Sequence, residues 1–175
     1  TGNTALHICA KNGYWHLAKF LLERRKMNVI ECKNDDDEYD DNDDDLRENM
    51  VSQRRKKVNL RNKTNLTMLD AKDQYNRTCL HIACSINYRS DLVELFCQSG
   101  SDLNMYCNDT TPLMLAIGCG SSKMIKVLYK YGVHINQRTQ NDGKTALMKA
   151  VALGEVKCCQ MLLKLGANIE YVDHL

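Results

Sequence analysis

Proline is nearly missing: there is one in 175 residues. Its scarcity favours helices joined by short turns over extended loops. Aromatic residues make up only 6% of the chain, with two phenylalanines and one tryptophan. A core built around large rings is therefore excluded, and Leu, Ala, Ile and Val must fill the helix contacts. No apolar run is long enough to span a bilayer and no secretory leader is visible, so membrane insertion is not expected. Cysteine is not scarce, but the nine cysteines are an odd number and none stands in a Cys-x-x-Cys pair. Most occupy helix faces (Cys9, Cys84, Cys97, Cys159), where Cys behaves as a small buried hydrophobe. A disulfide framework is thereby excluded and a reducing compartment is implied, cytoplasmic or nuclear. Four Asn-x-Thr sequons, at Asn62, Asn65, Asn76 and Asn108, are then by-products of an Asn- and Thr-rich composition.

What is present is repetition. Asn141 to Glu170 reads as one supersecondary unit. Asp142-Gly143 signals a turn, and Thr145 stands where a helix N-cap belongs. Ala146, Leu147, Ala150 and Val151 recur at helical spacing, and Gly154 interrupts the helix. A second helix follows through Val156, Cys159, Met161, Leu162 and Leu163, closed by Gly166. Two helices this short cannot bury their apolar faces alone. The copies they need are there: Thr4-Ala5-Leu6-His7, Thr78-Cys79-Leu80-His81, Thr111-Pro112-Leu113-Met114 and Thr145-Ala146-Leu147-Met148, in steps of 74, 33 and 34 residues. The closing turn recurs at Gly100–Asn104, Gly132–Asn136 and Gly166–Glu170. In period and in its Thr-Pro-Leu-His signature the chain resembles the ankyrin repeat family. The resemblance covers everything except roughly residues 31–64. It implies an all-α repeat solenoid of helix-turn-helix units with β-hairpin-like fingers, interrupted by a long charged insertion.

The divisions expected are repeat one at 1–30, the insertion at 31–64, and a hairpin plus repeat two at 65–105. Repeat three follows at 106–139, and repeat four with the start of the next hairpin at 140–175. The position of the first capping glycine is Arg25, and regular phasing resumes at Leu69-Asp70-Ala71-Lys72-Asp73. The insertion carries 11 acids against 8 bases, leaving 16 bases and 11 acids, net +5, on the rest. Asp35–Asp45 is nearly all acid and Gln53–Lys63 is basic; blocks of like charge bury nothing, so disorder is expected there. Repeat two carries one extra residue in its interhelical turn. Asn76 and Asp109 stand where the fingertip turns call for glycine, and both types tolerate positive φ. Both chain ends fall inside expected turns and neither has a polar capping face. The chain thus reads as a fragment of a longer array, with Leu17 and Phe20 exposed at one end and Met161 at the other.

Several residues invite a chemical reading. His7 and His81 occupy the fourth position of the signature, where the resemblance implies a structural role, tying the turn to neighbouring backbone. His16, His134 and His174 are isolated. Cys158-Cys159 is a vicinal pair without a second pair to complete a zinc site, and adjacent helix positions point about 100° apart, so one should be buried and one half-exposed. The acidic run lacks the Gly and Glu of a calcium loop: counted from Asp41, those positions are Leu46 and Ser52. Tyr39, flanked by acids, has the setting of a kinase substrate. Arg54-Arg55-Lys56-Lys57 suits an import signal or a loose pairing with the acids beside it. Poly-acid nearby and the lack of interleaved aromatics argue against nucleic acid. Gly118-Cys119-Gly120 follows a helix and is no phosphate loop. No nucleophile with its base, no metal site and no cofactor loop appears, and the chain reads as a non-enzyme without a small-molecule substrate.

The function expected is a scaffold that binds a protein partner through fingertip turns and first helices. The candidate contact residues are Gln74, Tyr75, Arg77, Tyr106, Asn108, Arg138, Gln140, Asn141 and Lys144 on the fingertips, with Lys11, Asn12, Ser85 and Ile86 on the first helices. Tyr and Arg are frequent binding anchors, and a net +5 outside the insertion points to a partner of acidic character. Two alternatives stand beside this: an IκB-like inhibitor of a transcription factor, and an autoregulatory or targeting segment of a larger enzyme or channel.

Overall fold

The computed structural model describes residues 2–34, 68–86 and 89–174, with side chains in the first stretch described as far as Arg24. The acidic run, Tyr39, the Arg54–Lys57 cluster and the insertion's expected disorder lie outside the described residues. Four helix pairs follow one another. They are α1 (Ala5–Asn12) with α2 (Trp15–Asn34), α3 (Cys79–Cys84) with α4 (Ser90–Gln98), α5 (Pro112–Gly118) with α6 (Ser122–Lys130), and α7 (Ala146–Ala152) with α8 (Val156–Lys164). Each pair packs internally, the first helices pack on one another in chain order, and so do the second helices. The result is two helical layers with one core running between them. Fully buried Leu80, Phe96, Leu113, Ile117, Met124, Ile125 and Leu128 form its centre.

The same local chemistry starts each first helix. Thr4, Thr78, Thr111 and Thr145 are extended N-caps whose side chains accept from the backbone N–H three residues on. That satisfies one of the donors a helix start leaves open. In the first two copies the third residue is His, and it answers the cap. His7 Nε2 donates to Arg77 O at 3.0 Å and His81 Nε2 to Met105 O at 3.1 Å. A carbonyl can only accept, so the proton sits on Nε2. Nδ1 is then free to accept the Thr4 and Thr78 hydroxyls at 2.7 and 2.8 Å. Each imidazole thus joins its own cap to the next repeat, the structural role expected of it. Met114 and Met148 cannot make this bridge.

Second helices end on glycines with φ near +90°: Gly100, Gly132 and Gly166. Only glycine takes that conformation without strain. The first repeat has Arg25 at this place, and α2 does not stop there. It runs 20 residues against nine in the other second helices, past the expected boundary at residue 30. At the other end of α1, Gly13 has φ +76°, and a Cβ on it would lie 2.6 Å from Arg89 Nη1. That guanidinium donates to Ala10 O at 2.7 Å, capping α1 from the following repeat.

The fingers are turns rather than hairpins of paired strands. Among the described residues the one β-bridge is isolated, antiparallel, between Cys107 and Thr110. Asn76 and Asp109 take φ of 63° as expected, and Asn108 joins them at 48°. Leu17 and Phe20 are exposed as expected. Met161 is not: it is half-buried against the core, and Val151, Leu153, Val156, Leu163, Ile169 and Val172 are among the exposed apolar residues of that end.

Candidate functional site

The fingertips are rigid because their backbone polar groups are bound twice, within each turn and between turns. In the second finger Asp73 Oδ1 accepts from Tyr75 N and Arg77 N, both at 2.9 Å. Its Oδ2 takes Nε and Nη2 of Arg77 at 2.9 and 2.8 Å. Burial alone would push the Asp73 carboxyl up, but these four donors and the Arg77 charge hold it below the usual carboxylate range. The Arg77 guanidinium also lies over the Tyr75 ring, 4.8 Å from its centre. Between fingers, Asn108 Nδ2 donates to Tyr75 O at 3.4 Å and Tyr106 Oη to Arg138 O at 2.7 Å. Asp109 accepts from the backbone of Gln140 and Asn141. Arg138 Nε reaches Gly143 O at 2.8 Å and its Nη2 reaches Val172 O at 2.7 Å. A second ladder runs along the turns that close the second helices. Asp102 N donates to Asp70 Oδ1, His134 N to Asn104 Oδ1 and Asn168 N to Asn136 Oδ1, at 3.0, 2.9 and 2.9 Å.

This framework divides the fingertip candidates. Gln74, Tyr75, Asn108, Gln140 and Asn141 are exposed, with Tyr75 58% accessible. Arg77, Tyr106 and Arg138 are half-buried, and their polar ends are bound within the ladder. Lys144 is half-buried, with Nζ 3.0 Å from Asp142. Of the helix candidates, Lys11, Asn12 and Ser85 are exposed and Ile86 is half-buried. They form part of a longer row. Counting four residues from each cap gives Ile8, Ile82, Leu115 and Lys149; counting eight gives Asn12, Ile86, Cys119 and Leu153. Residues four apart share a helix face, and the first helices pack side by side. Ile8, Leu115, Cys119, Lys149 and Leu153 are accessible members of that row absent from the candidates. The cap-plus-four spacing was visible in the sequence and would have identified them.

The thiols are chemically quiet. Burial pushes Cys79 and Cys97 up to about 12 and raises Cys84 well above the usual thiol range. They stay protonated at neutral pH and are poor nucleophiles. Cys158 is buried and Cys159 half-buried, the division expected of the vicinal pair. Among the described residues no group of three His, Cys, Asp or Glu side chains could hold a metal. No described helix is long and apolar enough to cross a membrane.

One apolar cleft of about 450 Å³ opens beside the last repeat, lined by Leu147, Met148, Val151, Cys159, Leu163 and Ile169 among others. In repeat three the matching positions are covered by repeat four. Ile117 is 0% accessible where Val151 is 65%, and Ile135 is 8% where Ile169 is 72%.

A family model described as ankyrin repeats (3 copies) matches residues 54–139 and 80–173, and one described as ankyrin repeat matches residues 1–35. Among curated relatives, the chain is 33% identical over 101 residues to the ankyrin repeat domain-containing protein SAT10 of Stachybotrys chartarum, covering 57% of this chain and 5% of that protein. It is 32% identical over 106 residues to neurogenic locus notch homolog protein 2 of Homo sapiens, covering 60% of this chain and 4% of that one. It is 30% identical over 114 residues to the ankyrin repeat protein FPV031 of fowlpox virus, covering 63% of this chain and 33% of the relative. The chain therefore spans a third or less of the length of each of these relatives.

Proposed function

The chain belongs to the ankyrin repeat family, whose repeats are generally protein–protein interaction modules, and on that premise we propose that it recognises a protein partner through its fingertip turns and the exposed row of its first helices. One observation carries the reading. The side chains of Gln74, Tyr75, Asn108, Gln140 and Asn141 are exposed, while the backbone beneath them is fixed by turn-to-turn hydrogen bonds. A rigid backbone presenting free polar and aromatic side chains loses little entropy on binding. Arg77, Tyr106 and Arg138 serve mainly as its frame. The net positive charge outside the insertion favours an acidic partner.

The test is a pull-down from cell lysate read by mass spectrometry. It uses the full chain, a chain lacking Glu31–Thr64, and a Tyr75→Ala, Gln140→Ala double variant. Both exposed side chains can be removed without disturbing the ladder, which Arg138 substitution would break. The expected result is one set of proteins retained by the first two and lost by the third. Retention that vanishes with Glu31–Thr64 and survives the double change would place recognition in the insertion instead.

A further inference from the structure

The positive charge of the chain is not spread evenly over the stack. Outside residues 31–64 the chain carries 16 bases and 11 acids, and five of those bases are lysines of two helices. They are Lys123, Lys126 and Lys130 on α6, and Lys157 and Lys164 on α8. Neither helix contains an Asp or Glu, so the other 11 bases face 11 acids and the whole excess lies here. All five lysines are exposed, while Met124, Ile125 and Leu128 of α6 and Cys158 and Leu162 of α8 are buried in the core. Residues three, four and seven places apart share a helix face, and α6 packs on α8. The lysines therefore form one patch on the outer side of the second-helix layer, turned away from the first helices. Gln160 holds the place of Lys126 in the last repeat, and Tyr129, Val156 and Leu163 are the other exposed residues of the two helices.

This patch differs from an ordinary solvated helix surface. In α2, Lys19 pairs with Glu23 one turn on, at 3.8 Å. In α6, Lys126 instead stands between Lys123 and Lys130, an arrangement of like charges that weakens the helix until a counter-charge arrives. The neighbouring α4 has the opposite sign: Asp91 takes Lys123 at 3.7 Å and Glu94 takes Lys130 at 2.9 Å. Lys126, Lys157 and Lys164 form no ion pair with an acid of the described residues. The carboxylate of Glu155, just before α8, is turned to Gly120, where a Cβ would lie 2.9 Å from its Oε2. Three free cations thus stand in a patch about 10 Å along the helices and about 8–10 Å across, with carboxylates on its α4 border. That border selects the ligand. A bilayer or a duplex carries negative charge everywhere and would press on Asp91 and Glu94 as well. Five lysines without an arginine also offer point charges, not the planar forks that grip phosphate at two oxygens. A short segment bearing carboxylates meets the lysines alone. Extended, at about 3.3 Å per residue, it crosses the patch in about four residues.

We propose that the lysine patch of α6 and α8 is a second docking surface whose occupant is an acidic segment of a partner protein, with Lys126, Lys157 and Lys164 receiving its carboxylates. The inference goes beyond the fingertip reading and does not depend on it, because the two surfaces share no residue and can be altered separately.

The test measures binding of a fluorescent oligoglutamate peptide of about ten residues, long enough to cross the patch, to the full chain by anisotropy. Changing Lys126→Gln, Lys157→Gln and Lys164→Gln together should weaken binding about ten-fold, each exposed pair contributing modestly. A control of equal net charge, Lys11→Gln, Lys72→Gln and Lys149→Gln together, removes lysines outside the second-helix layer and should weaken it by about two-fold at most. An unchanged melting curve checks that each variant is folded. The Tyr75→Ala, Gln140→Ala double variant should bind as the full chain does; loss of the peptide there would move the acid-binding surface to the fingertips and overturn the inference. Equal losses in the two lysine triples would also overturn it, since net charge alone would then govern binding. So would a full chain that binds no oligoglutamate. Tighter binding to phosphatidylserine vesicles or to duplex DNA, lost in the first triple, would overturn the choice of a protein segment. Binding that emerges only when the acids between Asp35 and Asp45 are changed to their amides would make the chain's own acidic run the occupant, and the inference would fall.

Discussion

His81 is the residue on which the fold's response to acid turns. Burial holds its imidazole down at about 4 instead of the ordinary 6.5. Geometry agrees with that direction, since Nδ1 faces two donors from Thr78 and has no room for a proton. Between pH 6.5 and 4 the unfolded chain binds a proton that the folded chain refuses. This share of stability is therefore complete above about pH 6.5 and falls as pH drops toward 4, reaching about 3 kcal/mol. Urea denaturation at pH 7 and pH 4.5 should show that loss in the native chain and a shallower one in His81→Gln; equal slopes would refute the assignment. Asp73 acts in the opposite range. Its carboxyl is held below the usual value, so its contribution is present above that value and drains only as pH falls through the lowered one. Asp73→Ala should cost about 2–3 kcal/mol at pH 7, and Asp73→Asn less, because the amide oxygen still accepts from Tyr75 N and Arg77 N. Both roles were partly legible in the sequence. The signature position of His81 marked it as structural, but nothing local revealed that Tyr106 and the far end of Arg138 would be consumed by carbonyls brought close only by stacking.

At the scale of single elements, caps and turns decide where helices begin and stop. Thr78→Ala removes a hydroxyl that both accepts from His81 N and donates to Nδ1, and should cost about 1–2 kcal/mol. Thr78→Ser should restore most of it. Two glycines give opposite expectations. Gly13→Ala puts a side chain at φ +76° and against Arg89, and should destabilise by at least about 1 kcal/mol. Gly118→Ala sits in helical backbone and open space, and should stabilise by up to about 1 kcal/mol. Thermal melts of the pair check both signs. Helix starts were readable because each rests on one Thr and its next three residues. Helix ends were readable wherever a glycine marked them. The course of α2 was not, because Arg25 supplies no stop signal where its neighbours carry glycine. The resemblance implies β-hairpin-like fingers; among the described residues one isolated bridge joins Cys107 and Thr110, and the side-chain carboxylates of Asp73 and Asp109 do the work that further strand pairing would otherwise do.

The molecule as a whole is a one-dimensional array, and the value of a residue depends on whether a neighbour covers it. Ile117 and Val151 hold the same place in successive repeats, one sealed and one 65% accessible. Ile117→Ala should cost about 2–4 kcal/mol, and Val151→Ala should stay within about 0.5 kcal/mol; chemical denaturation of the two variants measures the difference. The ladder that joins repeats is also one-sided. Asn104 and Asn136 each offer an oxygen, and the backbone N–H that meets it comes from the next repeat. Under tension applied along the chain axis, that arrangement has a mechanical consequence. Among the described residues no helix contact ties the last repeat to the first, so load concentrates on one seam at a time. The array should extend as a sequence of separate ruptures, each paying out a segment such as the 33 residues from Thr78 to Thr111, or about 110 Å of slack. Seen this way, the stack is a soft spring whose coils let go singly, and take up again in the same order when the force is released.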